Sequence, residues 1–326
     1  MPLFQPILSP LPNSLSFAGK SAIVTGANRG LGRAAALHLS QRHISTLILA
    51  VRTIRNGDTT KAALLADPVV QTRPVQPIIL VYELDLERPS SVASFASKIR
   101  TEVAALDILL LNAGGGSLRW ETTPETHTER MFQVNFLSNA ILCVRLLPLL
   151  RATAERTGSP SHLSFVGSRT LIDNTFTKYP VPEGTSIFAF LNDPAKFRMM
   201  RYPDSKLLVF LWSHSLAMRT DAARVIVNSV CPGMVEADMS HQSWWVRNIF
   251  YILFWIRGRS QEVGSRALVG ALAAGLETHG KMLWDYTVWP NEARLGKEME
   301  ERLWDETLAA AESVTPGSVE EAQLKD

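Results

Sequence analysis

The stretch Thr25-Gly26-Ala27-Asn28-Arg29-Gly30-Leu31-Gly32 constrains the fold of this chain more than any other. It follows the apolar run Ser21-Ala22-Ile23-Val24 and leads into a helical pattern from Arg33 to Leu39. Strand, glycine-rich turn and helix in succession form a receptor for a dinucleotide pyrophosphate. Glycines let the backbone turn tightly and approach the phosphates, and the helix N-terminus supplies free N–H groups and partial positive charge. Alone, the pattern is weakly specific, so the rest of the chain has to decide its meaning.

Short apolar runs alternate with helical patterns along the chain. The runs predict strands at Ala22 to Thr25, Leu47 to Val51, Ile78 to Glu83, Ile108 to Leu111, Leu163 to Val166 and Val225 to Val230, with a weaker one at Lys281 to Trp284. Helical patterns lie between them, notably Glu125 to Leu150 and Asp204 to Arg219. Such alternation predicts an α/β, Rossmann-type, doubly wound parallel sheet of about seven strands with helices on both faces. Strands buried on both sides read as continuous apolar runs, as these do. The expected organisation is a Pro-rich arm over residues 1–17, a dinucleotide-binding domain over 18–285, and a C-terminal helix with a frayed tail over 286–326. The helix follows from Leu295, Met299, Leu303 and Leu308 at helical spacing, and the fraying from Pro316, Gly317 and the polar residues around them.

Composition narrows the function classes. Lys and Arg number 33 against 31 Asp and Glu, for a net charge of +2. That balance gives no reason to expect nucleic acid as a partner. Hydrophobic residues reach 46%, enough for a sizeable core. Cys143 and Cys231 sit in apolar contexts without metal-ligand spacing, which reads as buried free thiols in a reducing compartment. Met1 to Ser16 holds four prolines and no basic residue, unlike a signal peptide. The expected location is the cytoplasm.

Tyr202-Pro203-Asp204-Ser205-Lys206 is the second key feature. Tyr and Lys one helical turn apart share a face. A free tyrosine titrates near a pH of about 10 and is a poor acid–base group at neutrality. An ammonium at about 4 Å supplies roughly the 3–4 kcal/mol needed to lower that pKa by about two to three units. Of the five tyrosines, only Tyr202 has a lysine four positions on.

With the glycine turn and Tyr-x-x-x-Lys in this order, the chain resembles the short-chain dehydrogenase/reductase family. The spacing Thr25-Gly26-x-x-x-Gly30-x-Gly32 is similar to its short, single-domain branch. Asp85-Leu86 resembles the family's adenine-contacting Asp, and Asn112-Ala113-Gly114 its Asn-Ala-Gly motif. Asn135 and Ser168 sit where the family keeps a catalytic Asn and Ser, and Pro232-Gly233 resembles the turn after the sixth strand. The resemblance spans roughly residues 18 to 285. It implies a catalytic set of Asn135, Ser168, Tyr202 and Lys206. Tyr202 would exchange a proton with the substrate oxygen and Lys206 would depress its pKa and hold the nicotinamide ribose. Ser168 would polarise the carbonyl, and Asn135 would hold a water linking Lys206 to solvent. Cofactor contacts are implied for Gly26, Asn28, Arg29, Gly30, Leu31, Gly32, Arg52, Asp85, Leu86, Asn112, Ala113, Gly114, Tyr202, Lys206, Pro232, Gly233 and Val235. Ser164 is the rival for the Ser168 role. Ser168 is preferred because it stands at the C-terminal end of its strand, where sites of open α/β sheets gather.

Cofactor choice follows from the second strand, which ends in Arg52 where an NAD enzyme usually places Asp or Glu. With Arg29 nearby, a 2′-phosphate is favoured, hence NADP. One departure from the family is Ala237, where a cofactor-contacting Thr is common, so anchoring there would rely on backbone groups.

Two regions are expected to shape the substrate site. One is the long stretch from Ser168 to Tyr202, carrying Phe176, Tyr179, Phe188, Phe190 and Phe197, whose length resembles retinol-dehydrogenase-like members. The other is an apolar lid, residues 238–258, centred on Trp244 to Trp255. At 13 residues, Trp244 to Ile256 is too short for the roughly 20 that span a bilayer. A lid over a hydrophobic small molecule ranks first, a homodimer contact second, and a membrane-surface contact third.

No Gly-x-Ser-x-Gly elbow, phosphate-loop lysine or His-Glu-x-x-His is present, and no metal is expected. The expected function is NADPH-dependent reduction of a ketone or aldehyde, or the reverse oxidation, on a hydrophobic molecule. Similarity around Ser168, Tyr202 to Leu208 and Leu303-Trp304-Asp305-Glu306 looks most like fungal members, implying secondary metabolism. The alternative is a non-redox cyclase or rearrangement enzyme that keeps the cofactor.

Overall fold

The computed structural model describes residues 5, 8–199, 201–236, 258–290 and 297–324. The Trp-rich segment Trp244 to Trp255, Ala237 and most of the expected lid lie outside them. The described residues build a sheet of eight strands: β1 (Ser21–Thr25), β2 (Thr46–Val51), β3 (Ile78–Glu83), β4 (Ile108–Leu111), β5 (Ser161–Val166), β6 (Val225–Cys231), β7 (Met282–Trp284) and β8 (Thr287–Val288). Their order is β3-β2-β1-β4-β5-β6-β7-β8. All pairs are parallel except β7 with β8, a two-residue antiparallel edge too short to show as an apolar run.

Side chains alternate across this sheet as a pleated strand requires. Ile23, Ile48, Leu109, Leu111 and Leu163 enter one core with the helices Pro89–Glu102, Ser138–Thr157 and Arg201–Met218. Ala22, Val24, Leu47, Leu49, Ile108 and Leu110 enter the other, with Gly30–Gln41 and Gln261–Ala271. The helical segment Phe132–Thr157 is long and apolar enough to cross a membrane, yet most of it is buried inside the protein.

The strand order reverses direction between β1 and β4, which pair with each other near the centre of the sheet. Connections leave to opposite sides there, opening a crevice at the strands' C-terminal ends where ligands of such sheets bind. Asp85-Leu86, Asn112-Ala113-Gly114, Ser168 and Pro232-Gly233 sit on loops or turns at that edge, the glycine turn runs into the helix Gly30–Gln41, and Asn135 lies in the helical segment Phe132–Leu137. The Tyr-x-x-x-Lys pair reaches the edge from the first turn of Arg201–Met218.

The C-terminal end departs from expectation. Instead of fraying, residues after Ser313 continue the helix Lys297–Val314 and then form Ser318–Glu321. Val319, Ala322 and Leu324 are buried in the first core. Glu321 pairs with Arg100 and Arg145. The Pro-rich arm is likewise docked: Leu8, Leu11 and Phe17 are buried in the second core. Arg266 donates to the Leu8 carbonyl at 3.2 Å and the Tyr286 hydroxyl to Ser9 at 2.7 Å.

Candidate active site

The floor of the crevice is a backbone arrangement tied by Thr25. Its hydroxyl accepts from the amides of Asn112 and Ala113, both at 2.9 Å. The Asn112 side chain donates back to the Thr25 carbonyl at 2.8 Å. Gly26 and Gly30 hold φ of +66 and +57, in the left-handed region where a Cβ is strained. Gly32 shows why its position excludes other residues: a Cβ there would lie 2.4 Å from the Gly26 carbonyl oxygen and 2.6 Å from Asn112 Nδ2. Nothing lies within 4 Å of a Cβ at Gly30. The two ends of the glycine turn, Gly26 and Gly32, therefore lie against Asn112 and Ala113.

At the far end of β2, Arg52 is exposed and pairs with Glu87 at 3.2 Å. Glu87 also receives Arg130. Asp85 accepts from the Glu87 amide at 3.1 Å. Leu86 is buried, and its carbonyl accepts from Ser138 at 2.6 Å. Thus Arg52, Asp85 and Leu86 gather at one end of the crevice.

The helix Arg201–Met218 supplies the other end. Lys206 is 5% exposed, and its Nζ donates to the Val166 carbonyl at 2.7 Å, 5.6 Å from the Tyr202 ring centroid. The sequence argument expects Lys206 to draw the Tyr202 pKa down, but the shift runs the other way. Burial leads and pushes the phenol up to about 12; the Cys231 thiol adds to this, and the Ser168 hydroxyl opposes it. Burial also pushes the Lys206 ammonium down to about 8. Burial is the leading cause of both shifts, and each disfavours the charged form.

Ser168 caps the turn Arg169–Asp173, accepting from the Thr170 amide and hydroxyl at 3.3 and 2.9 Å, and it neighbours the phenol. Ser164 faces the sheet packing: it is fully buried and donates to Asn228 at 2.6 Å. Asn135 sits in one π-turn, Phe132–Leu137, at the start of the long core helix. Its Oδ1 accepts from the Gly115 amide at 2.8 Å, and its Nδ2 donates to the Gly115 carbonyl and the Ser205 hydroxyl, both at 2.9 Å. The Asn135 side-chain amide is thus engaged as a bracket. It ties the Gly114–Gly116 loop to the helix carrying Tyr202. A Cβ at Gly116 would stand 3.6 Å from the Tyr202 ring, so that loop forms a wall beside the phenol.

Pro232, Gly233 and Val235 follow β6. Val235 bridges Arg259, and a Cβ at Gly264 would strike Val235 at 2.5 Å and Leu31 at 3.1 Å. The turn after β6 and the glycine turn after β1 therefore meet on one helix.

The long stretch before Tyr202 divides differently from expectation. Phe176 is buried in the core, and Phe188 and Phe190 pack against it, Phe188 edge-on to Phe132 at 4.8 Å. Of the five, Tyr179 is exposed, and half-buried Phe197 packs against Trp120 at 5.6 Å. Composition cannot distinguish an aromatic that lines a site from one that fills a core.

Several residues at the site carry no sequence signal. Cys231 accepts from the Arg169 amide at 3.3 Å, and Arg169 stacks 3.8 Å over Trp284. Buried Arg201 lies between Glu129 and Asp204 at 3.9 and 3.6 Å, and Asp204 accepts from Thr175. Adjacency of Arg201 and Asp204 to Tyr202 is the one hint available; Glu129 and Thr175 are distant in sequence.

A parallel sheet with a glycine turn at its switch point and a Ser–Tyr–Lys group at the same edge defines a dinucleotide-binding acid–base site. Comparison with known proteins places it further. The short chain dehydrogenase family model matches residues 20–159. The chain is 40% identical to the short chain dehydrogenase yanD of Aspergillus niger over 320 residues, covering 96% of this chain and 97% of that one. It is 37% identical to the short-chain dehydrogenase/reductase tropG of Talaromyces stipitatus, over 96% of this chain and 97% of that one. The chain belongs to the short-chain dehydrogenase family. Solved structures share the fold. The RhlG/NADP active-site complex of Pseudomonas aeruginosa aligns with a TM-score of 0.60 at 23% identity, over 83% of this chain and 96% of that one. L-sorbose reductase of Gluconobacter frateurii, complexed with NADPH and L-sorbose, aligns at 0.60 and 17%, over 85% and 99%.

Proposed function

We propose that this protein reduces a ketone or aldehyde on a hydrophobic small molecule with NADPH, in fungal-type secondary metabolism. The observation that carries the reading is geometric: the Tyr202 phenol lies beside the Ser168 hydroxyl, one helical turn from buried Lys206, at the C-terminal edge of the sheet. Carbonyl reduction needs a proton donor at the nascent alkoxide, and a protonated phenol is that donor. Ser168 is placed to hydrogen-bond the carbonyl oxygen and polarise it.

The residues present fit a nicotinamide dinucleotide. The turn at Gly26, Gly30 and Gly32 has the shape and open space for a pyrophosphate. No partner among the described residues takes the backbone N–H and C=O of Val235. When bound, the cofactor supplies the hydride; the chain supplies position, the proton and exclusion of water. Arg52 with no carboxylate at the end of β2 supports NADP over NAD, as do the NADP and NADPH complexes of the structural neighbours. The fungal relatives support the metabolic setting. Buried free thiols at Cys143 and Cys231 support a reducing, cytoplasmic location.

The test is incubation with NADPH and a panel of hydrophobic ketones and aldehydes, following loss of NADPH absorbance against product. Tyr202→Phe is expected to lower turnover at least about 100-fold while NADPH still binds. Product formed without stoichiometric NADPH consumption would replace this reading with the non-redox one, and a fully active Tyr202→Phe would remove the proton-donor assignment.

A further inference from the structure

The turn after β6 is held from two sides, and one of the holders comes from the far end of the chain. The Gln5 side-chain amide makes a reciprocal pair with the Met234 backbone. Its Oε1 accepts from the Met234 amide at 2.7 Å, and its Nε2 donates to the Met234 carbonyl at 2.8 Å. The fit is close: Gly233 has φ +79, and a Cβ there would lie 2.1 Å from Gln5 Oε1. On the other side, Arg259 donates its amide to the Met234 carbonyl at 2.9 Å and accepts from the Glu236 amide at 3.0 Å. Its guanidinium reaches the Pro232 carbonyl at 3.3 Å and pairs with Asp285.

These bonds use the polar groups of Met234 and Glu236, which flank Val235 in an extended segment. Backbone groups of successive residues in such a segment point to opposite sides. The Val235 N–H and C=O are therefore turned away from Arg259. A donor and an acceptor side by side match a primary carboxamide, which is the group a nicotinamide presents.

We propose that Gln5 is a positioning residue for the nicotinamide end of the cofactor: its amide closes a ring on Met234 and fixes residues 232–236 in the shape that offers Val235 to a carboxamide. The inference rests on the NADPH reading above and extends it to the N-terminal arm. The arm is able to do this because Leu8 and Leu11 are sunk in the core immediately after Gln5, so its anchor is part of the fold.

Binding, measured by calorimetry, tests it without turnover. The probes are NADPH and 2′-phospho-ADP-ribose, which keeps the adenosine, phosphates and ribose but lacks the nicotinamide. Gln5→Ala is expected to weaken NADPH about tenfold, the size of two modest hydrogen bonds, and to leave 2′-phospho-ADP-ribose unchanged. Gln5→Met, which keeps the bulk against Gly233, is expected to lose as much. Equal weakening of both probes, no weakening of either, or full NADPH affinity in Gln5→Met each overturns the proposal. A wild-type chain that binds neither probe removes the cofactor reading and this inference together, whereas variants that fail to discriminate remove the inference alone.

Discussion

Lys206→Met separates what the ammonium does for the reaction from what it does to the fold. Lys206 is buried, and its pKa falls from 10.5 to about 8 because burial disfavours the charge. A depression of that size means the folded state disfavours the ammonium by about 3 kcal/mol relative to the unfolded chain. The bond from Nζ to the Val166 carbonyl, 2.7 Å long, offsets roughly 1 kcal/mol of that. Methionine has nearly the same length, flexibility and no charge. The variant is therefore expected to be more stable than wild type near neutral pH by about 2 kcal/mol, or about 3 °C in Tm for a chain of this size, while turnover is lost. The sign of the pH dependence follows from linkage. Below about pH 8 both native and unfolded wild type hold the proton, and the native state bears the full penalty. From there to pH 10.5 the unfolded chain holds more protons than the native one, so wild-type stability rises with pH and the advantage of methionine shrinks away. Urea unfolding of both proteins across this range measures the difference, in which every other titrating group cancels. A variant less stable than wild type at neutral pH, or an advantage that stays constant up to about pH 10, would refute the burial argument.

Two further outcomes are expected. Gly32→Ala drives a Cβ into the Gly26 carbonyl and Asn112, both fixed by the Thr25 network. It should weaken NADPH by about one to three kcal/mol of overpacking, and more than Gly30→Ala, where space is open and only the φ of +57 resists; calorimetry showing the reverse order would contradict the geometry. Leu324→Ala removes a buried side chain from the docked C-terminal segment. It should lower Tm by about 4 °C, whereas a frayed tail would leave Tm unmoved.

The sheet was legible because each central strand is buried on both faces, so Ala22 to Thr25 or Ile108 to Leu111 needs unbroken apolar residues. Strand ends moved by only one or two positions. The glycine turn, Asn112 and Tyr202 with Lys206 were legible because each is local, a short spacing with a steric or electrostatic reason. What stayed hidden depends on distance. Gln5 meets Met234 across 229 positions, and nothing near either residue signals the other. The four-residue helix Ser318–Glu321 is too short for periodicity to register. The helical pattern from Glu125 came out as a later start with a π-turn around Asn135, because the side chain of Glu129 caps the amides of Met131 and Phe132. The Tyr202 pKa went the other way because sequence spacing supplies a distance between Tyr and Lys but not the burial they share.

That shared burial also explains the company Tyr202 keeps. Arg201, Tyr202, Asp204 and Lys206 occupy little more than one helical turn, and burial works against the charged form of each. Ion pairs such as Arg201 with Glu129 and Asp204 do little for stability that apolar residues of the same size would not do better. Their effect is geometric. From this turn Asp204 holds Thr175, Arg201 reaches the Leu191 carbonyl, Ser205 meets Asn135, and Lys206 meets Val166. Four segments distant in sequence are thereby bonded to one turn, and a small rotation of the helix would break several of these bonds together. Proton transfer demands placement within about half an ångström. A helix that slid on greasy contacts alone would not hold a phenol to that tolerance, and one pinned by buried, directional bonds on every side does.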